Sequence, residues 1–485
     1  MTSPAAGPAT STSGPVPSSP WPSAPVPAFP GWIAALGPGV VWLALAQGSG
    51  ELIWWPYVVA KYGLAFLFLL IPACLLQWPL TFEIGRYTLV TGESIWHGFI
   101  RLHPLFAMPL WILMTLSFLW FGAFASAGGT ALAALSDFPS GWGDRSQSLF
   151  WAYGTIAVFL AALVASPVLY RFIEKFMLVS SIVTMAGLVL ACSHPDVLRK
   201  LPEFLAGIVR PTAPVRPWDP KDAPQLLTAI TFAGLGGFWT LFYSYWLREK
   251  GAGMAKYAGR ITGLWGRKDP LPETGRRPED SEMDATAWRK WTRFLRWDSA
   301  IGIFGNIFTT LMTCLLAYAL LLPKGDFPEG WKLAVVQSEF FAVRWGEAGR
   351  ALFLVVAAAF LADTWLTTAD GVARVHSDMV HHYFPRSRSK GPRWWYYFFL
   401  ILLTVITGAT MPLAQPGPLI MTSAVLGFVG TVSFSIGLWI LNFRWLPARL
   451  PAHARPGRFA PVALGVSCIA YLALAAAYLW VTFSR

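Results

Sequence analysis

The feature that most limits what this chain can become is a series of apolar segments, each near the length of a bilayer crossing, repeated from residue 32 onward. They cover 32–62, 64–90, 104–135, 148–166, 172–193, 224–247, 294–322, 351–373, 395–413, 419–443 and 459–483, numbered here as spans 1 to 11. A helix needs roughly 20 apolar residues to cross the hydrocarbon core. Lipid offers backbone groups no partner, so continuous runs of this length cross as helices. The prediction is an all-α polytopic membrane protein with about eleven transmembrane helices. Only 13% of the residues are charged, against about 25% in soluble domains, which excludes a soluble enzyme. Nor does the net charge of +12 imply a nucleic-acid partner. Basic nucleic-acid-binding domains are not built from membrane-length apolar runs.

Charge orients the spans. Connections 2–3, 4–5, 6–7, 8–9 and 10–11, with their flanks, hold about 25 of the 37 Lys and Arg, among them Arg171, Lys175, Arg374, Arg386, Arg388, Lys390, Arg444, Arg449, Arg455 and Arg458. Basic loops stay in the cytoplasm, which predicts a cytoplasmic N-terminus, an external C-terminus and a place in the cell membrane. Residues 1–31 carry no charge, are rich in Pro, Ser and Ala, and are expected to form a disordered cytoplasmic tail. The long connection 248–293 ends in Trp288, Trp291 and Leu295 at helical spacing with Arg and Lys between them, the pattern of an interfacial helix or an anchor leading into span 7.

Glycine marks the informative places. Span 1 contains Gln47-Gly48-Ser49-Gly50-Glu51 and span 6 contains Gly234, Gly236 and Gly237. Each glycine costs a helix about 1 kcal/mol relative to alanine, so clustered glycines favour a break, although in membrane helices they also permit close packing. Spans 1 and 6 open two consecutive sets of five. Interrupted helices in matching positions point to the central site of an inverted-repeat transporter. The organisation expected is a first repeat at 32–193, an extracytoplasmic loop at 194–223, a second repeat at 224–443 containing the 248–293 loop, and a final loop and helix at 444–485.

Glu51 stands beside the first break. An acid at mid-membrane costs about 3 kcal/mol on insertion scales and marks a substrate or ion path, or else is protonated or paired with Arg. Asp363 and Thr367 share a face of span 8, as do Asp363 and Asp370, the latter within reach of Arg374. The candidate substrate or ion site is therefore Gln47, Gly48, Ser49, Glu51, Gly236, Gly237, Asp363 and Thr367, with Glu51 and Asp363 as candidate metal ligands.

Other polar residues read as structural. Glu83 and Arg86 suit an i, i+3 pair, and Asn306, Thr422, Ser423, Thr431 and Ser433 suit interhelical packing or the path itself. His376, Asp378, His381 and His382 have partial metal-ligand spacing but read better as a solvated loop. The four cysteines are far apart and suit apolar packing. No nucleotide loop, hydrolase elbow or Cys-x-x-Cys occurs, and no cofactor is expected.

Gly37-Pro38-Gly39, Gly50, the Ala60…Tyr62-Gly63 segment and Thr91-Gly92-Glu93 resemble the Nramp family of proton-coupled divalent-metal transporters. Phe304-Gly305-Asn306 and Thr364…Thr368…Gly371 add to the resemblance. It implies a LeuT-type five-plus-five inverted repeat with helices 1 and 6 broken. The departures fall on the chemistry. Where the family carries Asp-Pro-Gly-Asn this chain has Gly48-Ser49-Gly50-Glu51, and the family's Met-Pro-His corresponds to about Gly236-Gly237-Phe238. A carboxylate, hydroxyls and backbone carbonyls remain, a harder donor set than a thioether provides. The expectation is a secondary transporter of a divalent metal cation, coupled by symport and working by alternating access. The alternatives are an ion-coupled carrier of a small organic solute on the same fold, or a non-transporting sensor whose 248–293 loop binds a partner.

Overall fold

The computed structural model describes residues 19–165, 169–262 and 271–483, the side chains of 49–51, 164–165 and 169–172 excepted. Among them, ten helices are long and apolar enough to cross a membrane. They begin with Leu67–Thr91 and end with Ala460–Phe483. Span 1 adds a further helical rod built of three pieces, Pro38–Ala46, Gln47–Trp54 and Trp55–Tyr62. The fold is a LeuT-type inverted repeat of two sets of five helices with one helix appended.

Position in the bundle follows composition. The most apolar stretch of span 6 is 89% buried, whereas that of span 11 is 22% buried. Span 11 therefore turns most of its surface outward, while span 6 is the axis around which the others pack. The π-helical centre of span 1 packs on the first half of span 6 and on spans 7 and 8. Span 10 packs on the second half of span 6 and on the first half of span 3.

Several helices are longer than their apolar cores. Span 8 belongs to a helix running from Glu339 to Tyr383, kinked at Gly346 where φ is +57°. Its polar last turns stay helical because their side chains find partners inside the bundle: Arg374 Nε lies 2.8 Å from Asp370 Oδ2, and Arg248 Nη1 lies 3.0 Å from Asp378 Oδ2. Span 7 starts early, at Glu282, capped by the Ser281 hydroxyl, which accepts from the Asp284 N–H at 3.1 Å. Span 3 divides into Pro104–Phe118 and Gly122–Ser136.

Two expectations change here. Residues 19–31 are not a free tail. Ser23–Ala24 pair in parallel with Arg277–Pro278, the Val26 N–H donates to Asp284 Oδ1 at 3.1 Å, and Trp291 Nε1 donates to Pro27 O at 2.8 Å. Trp21 is buried against Trp445 and Arg101. The reason is that an uncharged, Pro-rich segment in extended form needs few residues to bury, and the 248–293 loop supplies both its backbone partners and its apolar floor. All three side chains of the Trp288–Trp291–Leu295 stripe are buried, Trp291 against Pro27 and Phe29 of the strap and Leu295 toward Gly85 of span 2. The first 18 residues lie outside the described ones.

Glu93, just beyond span 2, anchors the helix Ile95–Leu102. Arg101 grips it with two bonds, Nη2 to Oε1 at 2.6 Å and Nε to Oε2 at 2.7 Å, while the Gly275 N–H donates to Oε1 at 3.0 Å. Burial alone would raise its pKa. The neighbouring His97 and Arg101 and the Gly275 N–H outweigh burial and bring it down to about 2. Burial holds His97 itself below its usual range. A carboxylate lowered from 4.5 to about 2 on folding contributes on the order of 3 kcal/mol, fully present above the unfolded value and lost as pH falls through the folded one. Glu93→Gln is expected to be destabilised at about pH 7, with the gap from wild type narrowing below about pH 4.5. A gap in thermal midpoint that stays constant down to about pH 3 would contradict this.

Candidate functional site

Span 6 breaks where the glycines predict. Its helix Ala223–Phe232 ends, and Gly234, Leu235, Gly236 and Gly237 take φ of +82°, +89°, +50° and +58° before the chain resumes as Gly237–Phe242 and Tyr243–Lys250. Positive φ is nearly free for glycine and costs an L-residue such as Leu235 roughly 1–2 kcal/mol. The freed backbone groups are met from two neighbouring helices. Gln77 of span 2 accepts from the Gly236 N–H at 2.9 Å and donates to Thr231 O at 3.0 Å, closing a bracket across the break. Asn306 of span 7 accepts from the Gly234 N–H at 2.8 Å. Glycine is required at Gly236, where a Cβ would lie 1.5 Å from Thr231 O.

Span 1 departs from expectation. It does not open into extended backbone; Gln47–Trp54 forms a widened π-helical turn that keeps the rod continuous. A π turn holds most backbone groups in bonds and still interrupts the α-helical register, a less costly solution for weak helix formers at this depth. Gly48 is wedged against span 8: a Cβ there would lie 2.0 Å from Thr364 Oγ1 and 2.8 Å from Phe360 O. The side chains of Ser49 and Glu51 lie outside the described residues.

Asp363 is fully buried, and among the described residues neither carboxylate oxygen has a partner in hydrogen-bond geometry, although the Thr367 hydroxyl stands close enough to act on it. The neighbouring hydroxyls also bond elsewhere. The Thr364 hydroxyl donates to Phe360 O at 2.9 Å, Thr367 turns to Met177 Sδ at 3.6 Å, and Thr368 Oγ1 accepts from Trp239 Nε1 at 2.8 Å. Among the described residues, Gln47 is buried with both amide atoms unpartnered, and Asn306 Nδ2, Thr231 Oγ1 and Thr240 Oγ1 are in the same condition. These unmet polar atoms lie on spans 1, 6, 7 and 8, and others lie elsewhere in the bundle. A carboxylate so placed is neutralised by a proton or a cation, because an isolated charge at this depth is prohibitively costly.

An aromatic shell surrounds the break in span 6. Trp239 meets Phe118 edge-on at 4.7 Å and packs with Phe232 at 5.4 Å and Phe124 at 6.0 Å, while Trp365 stacks over Phe121 at 6.3 Å. Gly237 and Gly427 bring spans 6 and 10 together, a Cβ at Gly237 falling 3.5 Å from Gly427 Cα.

Ion pairs hold both ends of the bundle. On the side of the 248–293 loop, Arg374 bridges Asp370 and Glu249, and Lys250 pairs with Glu174 at 2.6 Å. At the opposite end Lys61 of span 1 and Asp222 at the start of span 6 meet at 2.6 Å, and the Tyr62 hydroxyl donates to the same carboxylate at 2.6 Å.

The remaining sequence candidates take structural places. Arg86 Nε binds Glu83 Oε2 at 2.8 Å, with Asn442 donating to the same oxygen at 3.0 Å. Thr422, Thr431 and Ser433 bond to carbonyls one turn back in their own helix. The histidines after Asp370 are not a solvated loop but part of the helix: His376 and His381 are buried, and His382 stacks on His97 at 3.9 Å. Among the described residues no group of three or more His, Cys, Asp or Glu stands ready to hold a metal ion. Sequence reasoning passed over Gln77, Asp222 and Asp298. The last is fully buried in the span 7 helix and accepts from the Tyr243 hydroxyl at 2.8 Å. The available signal was a lone amide or carboxylate inside or beside an apolar run.

No known family profile matches this sequence, and no curated protein matches it. Solved structures do match in fold. A manganese transporter of Eremococcus coleocola, in a mutant form, superposes with a TM-score of 0.62 at 14% identity over 94% of this chain and 88% of its own. Mhp1, a nucleobase-cation-symport-1 family transporter solved in a closed conformation with bromovinylhydantoin bound, gives 0.53 at 14% identity over 96% and 95%. MhsT in complex with L-phenylalanine gives 0.52 at 14% identity over 91% and 98%.

Proposed function

We propose that this chain is a secondary active transporter that moves a divalent cation across the cell membrane by alternating access, its N-terminus and 248–293 loop in the cytoplasm. The observation that carries the reading is Asp363, a fully buried carboxylate with neither oxygen in a hydrogen bond among the described residues, on the helix against which Gly48 of span 1 is wedged. Glu51 joins it as the second carboxylate, and Ser49, Thr367, the Gln47 amide and the freed carbonyls near Gly236 and Gly237 supply neutral oxygen. Such donors suit hard cations such as Mg, Mn or Ca. The fold shared with a manganese transporter supports the same reading. The Lys61–Asp222 pair at one end and the Arg374–Glu249 pair at the other are the contacts that opening in either direction has to separate.

A second reading has its own support. The aromatic shell of Phe118, Phe124, Phe232 and Trp239 is a surface for an organic solute, and two structures of this fold hold a hydantoin and an amino acid. Asp363 would then carry the coupling proton. Uptake into proteoliposomes separates the two. Metal-dependent accumulation across Mg, Mn, Fe, Ca and Zn, lost in Glu51→Gln, is expected for the cation carrier. Uptake of amino acids or amines with no metal accumulation would overturn it in favour of the solute carrier. Metal uptake that survives Glu51→Gln would remove that residue from the site.

A further inference from the structure

Where the strap of residues 19–31 crosses the end of span 6, it roofs a cavity of about 450 Å³. The charged side chains lining it are Lys250, Lys256 and Arg260, all basic. Lys250 is already paired with Glu174 at 2.6 Å. Arg260 reaches the Lys250 carbonyl through Nη2 at 3.4 Å and has further donors to offer, and no ion pair engages Lys256 among the described residues. Gly251, in left-handed conformation with φ of +71°, turns the chain beside them: a Cβ there would lie 3.4 Å from Arg260 Nη2 and 3.7 Å from the backbone Cα of Lys256, and both residues line the cavity. The other walls are neutral. Trp291 forms one and Pro27 and Pro30 another, the indole fixed by its bond to Pro27 O at 2.8 Å.

We propose that this cavity binds a phosphate-bearing ligand. Arg260 offers a planar fork and Lys256 a mobile point charge, the pairing that phosphate oxygens recognise. The neutral strap leaves the field of the two cations uncompensated on that side, so an anion gains from both while displacing no acidic partner. The phosphate belongs either to a free cytosolic compound or to the headgroup of an anionic lipid at the membrane surface. Because one wall is the strap and another the end of span 6, the bound anion joins them and favours the docked strap by as much as it binds.

The test uses the full-length purified protein. In detergent, inorganic phosphate is expected to raise the thermal midpoint saturably, beyond what chloride does at equal ionic strength, and to bind as labelled phosphate in equilibrium dialysis. Reconstitution in vesicles of phosphatidylcholine, with and without phosphatidylglycerol, forms the second arm. Stabilisation only by phosphatidylglycerol assigns the headgroup, and stabilisation by inorganic phosphate assigns the free compound. In Lys256→Ala/Arg260→Ala the response is expected to fall at least ~10-fold, whereas Arg289→Ala/Lys290→Ala, on the exposed face of the span 7 helix, keeps it. Should the alanine pair fail to fold, Lys256→Gln/Arg260→Gln retains the apolar stems and serves instead. No response in either arm, a chloride response of equal size, or an undiminished response in the double variant would overturn the proposal.

Discussion

Asp363→Asn is expected to abolish transport, by at least ~100-fold in initial uptake, while leaving the protein as stable as wild type or more so. Removing a carboxylate normally weakens a fold when the carboxylate is paired. Here both oxygens are buried and, among the described residues, outside hydrogen-bond geometry, so the charge can be removed with little bonding lost. Replacing a buried, unpaired acid by its neutral isostere is neutral or gains on the order of 1–3 kcal/mol. Uptake into proteoliposomes and thermal unfolding of the same preparation make the measurement. A variant that unfolds early would mean Asp363 is structural, and one that transports normally would mean the ion path runs elsewhere.

Gly236→Ala should be among the most damaging single substitutions in the molecule. The added methyl would sit 1.5 Å from the backbone oxygen of Thr231, with Gln77 Nε2 2.8 Å away, at a φ of +50°. Neither obstacle is the tip of a flexible chain, since Gln77 is fixed at both ends of its amide. Strain and overpacking together are expected to cost about 3 kcal/mol or more. Gly237→Ala forms the control: φ is also positive, at +58°, but the nearest atom lies at 3.4 Å. Thermal midpoints that fall well below wild type for the first and only modestly for the second are expected. Equal effects would mean that φ alone, not the Gln77 bracket, makes the position intolerant.

The helices and their order were legible because span length and apolarity are local properties. The break in span 6 was legible for the same reason, three glycines in four residues being a strong local bias. The form of span 1 was not, because whether weak helix formers open or widen depends on what packs against them, here span 8 through Thr364 and Phe360. Gln77 stood 154 residues from Thr231, and nothing in its own surroundings announces a bracket. The strap was misjudged because composition counts what a segment can bury alone, while Trp21 and Val26 are buried by the 248–293 loop and by Trp445. Asp363 and Gln47 are legible only in outline: sequence puts polar groups at mid-membrane, and three dimensions are needed to see which described neighbours bond elsewhere instead.

The hydrogen bonds across the span 6 break also bear on how the protein is made. Span 2 is synthesised before span 6, so Gln77 is already in place when residues 231–236 enter the bilayer. Asn306 is not; it follows Gly234 by 72 residues. Once the break is formed, leaving the Gly234 N–H without this partner in hydrocarbon would cost several kcal/mol. The break in span 6 is therefore complete only when span 7 is packed beside it, with the long loop between them already spanned.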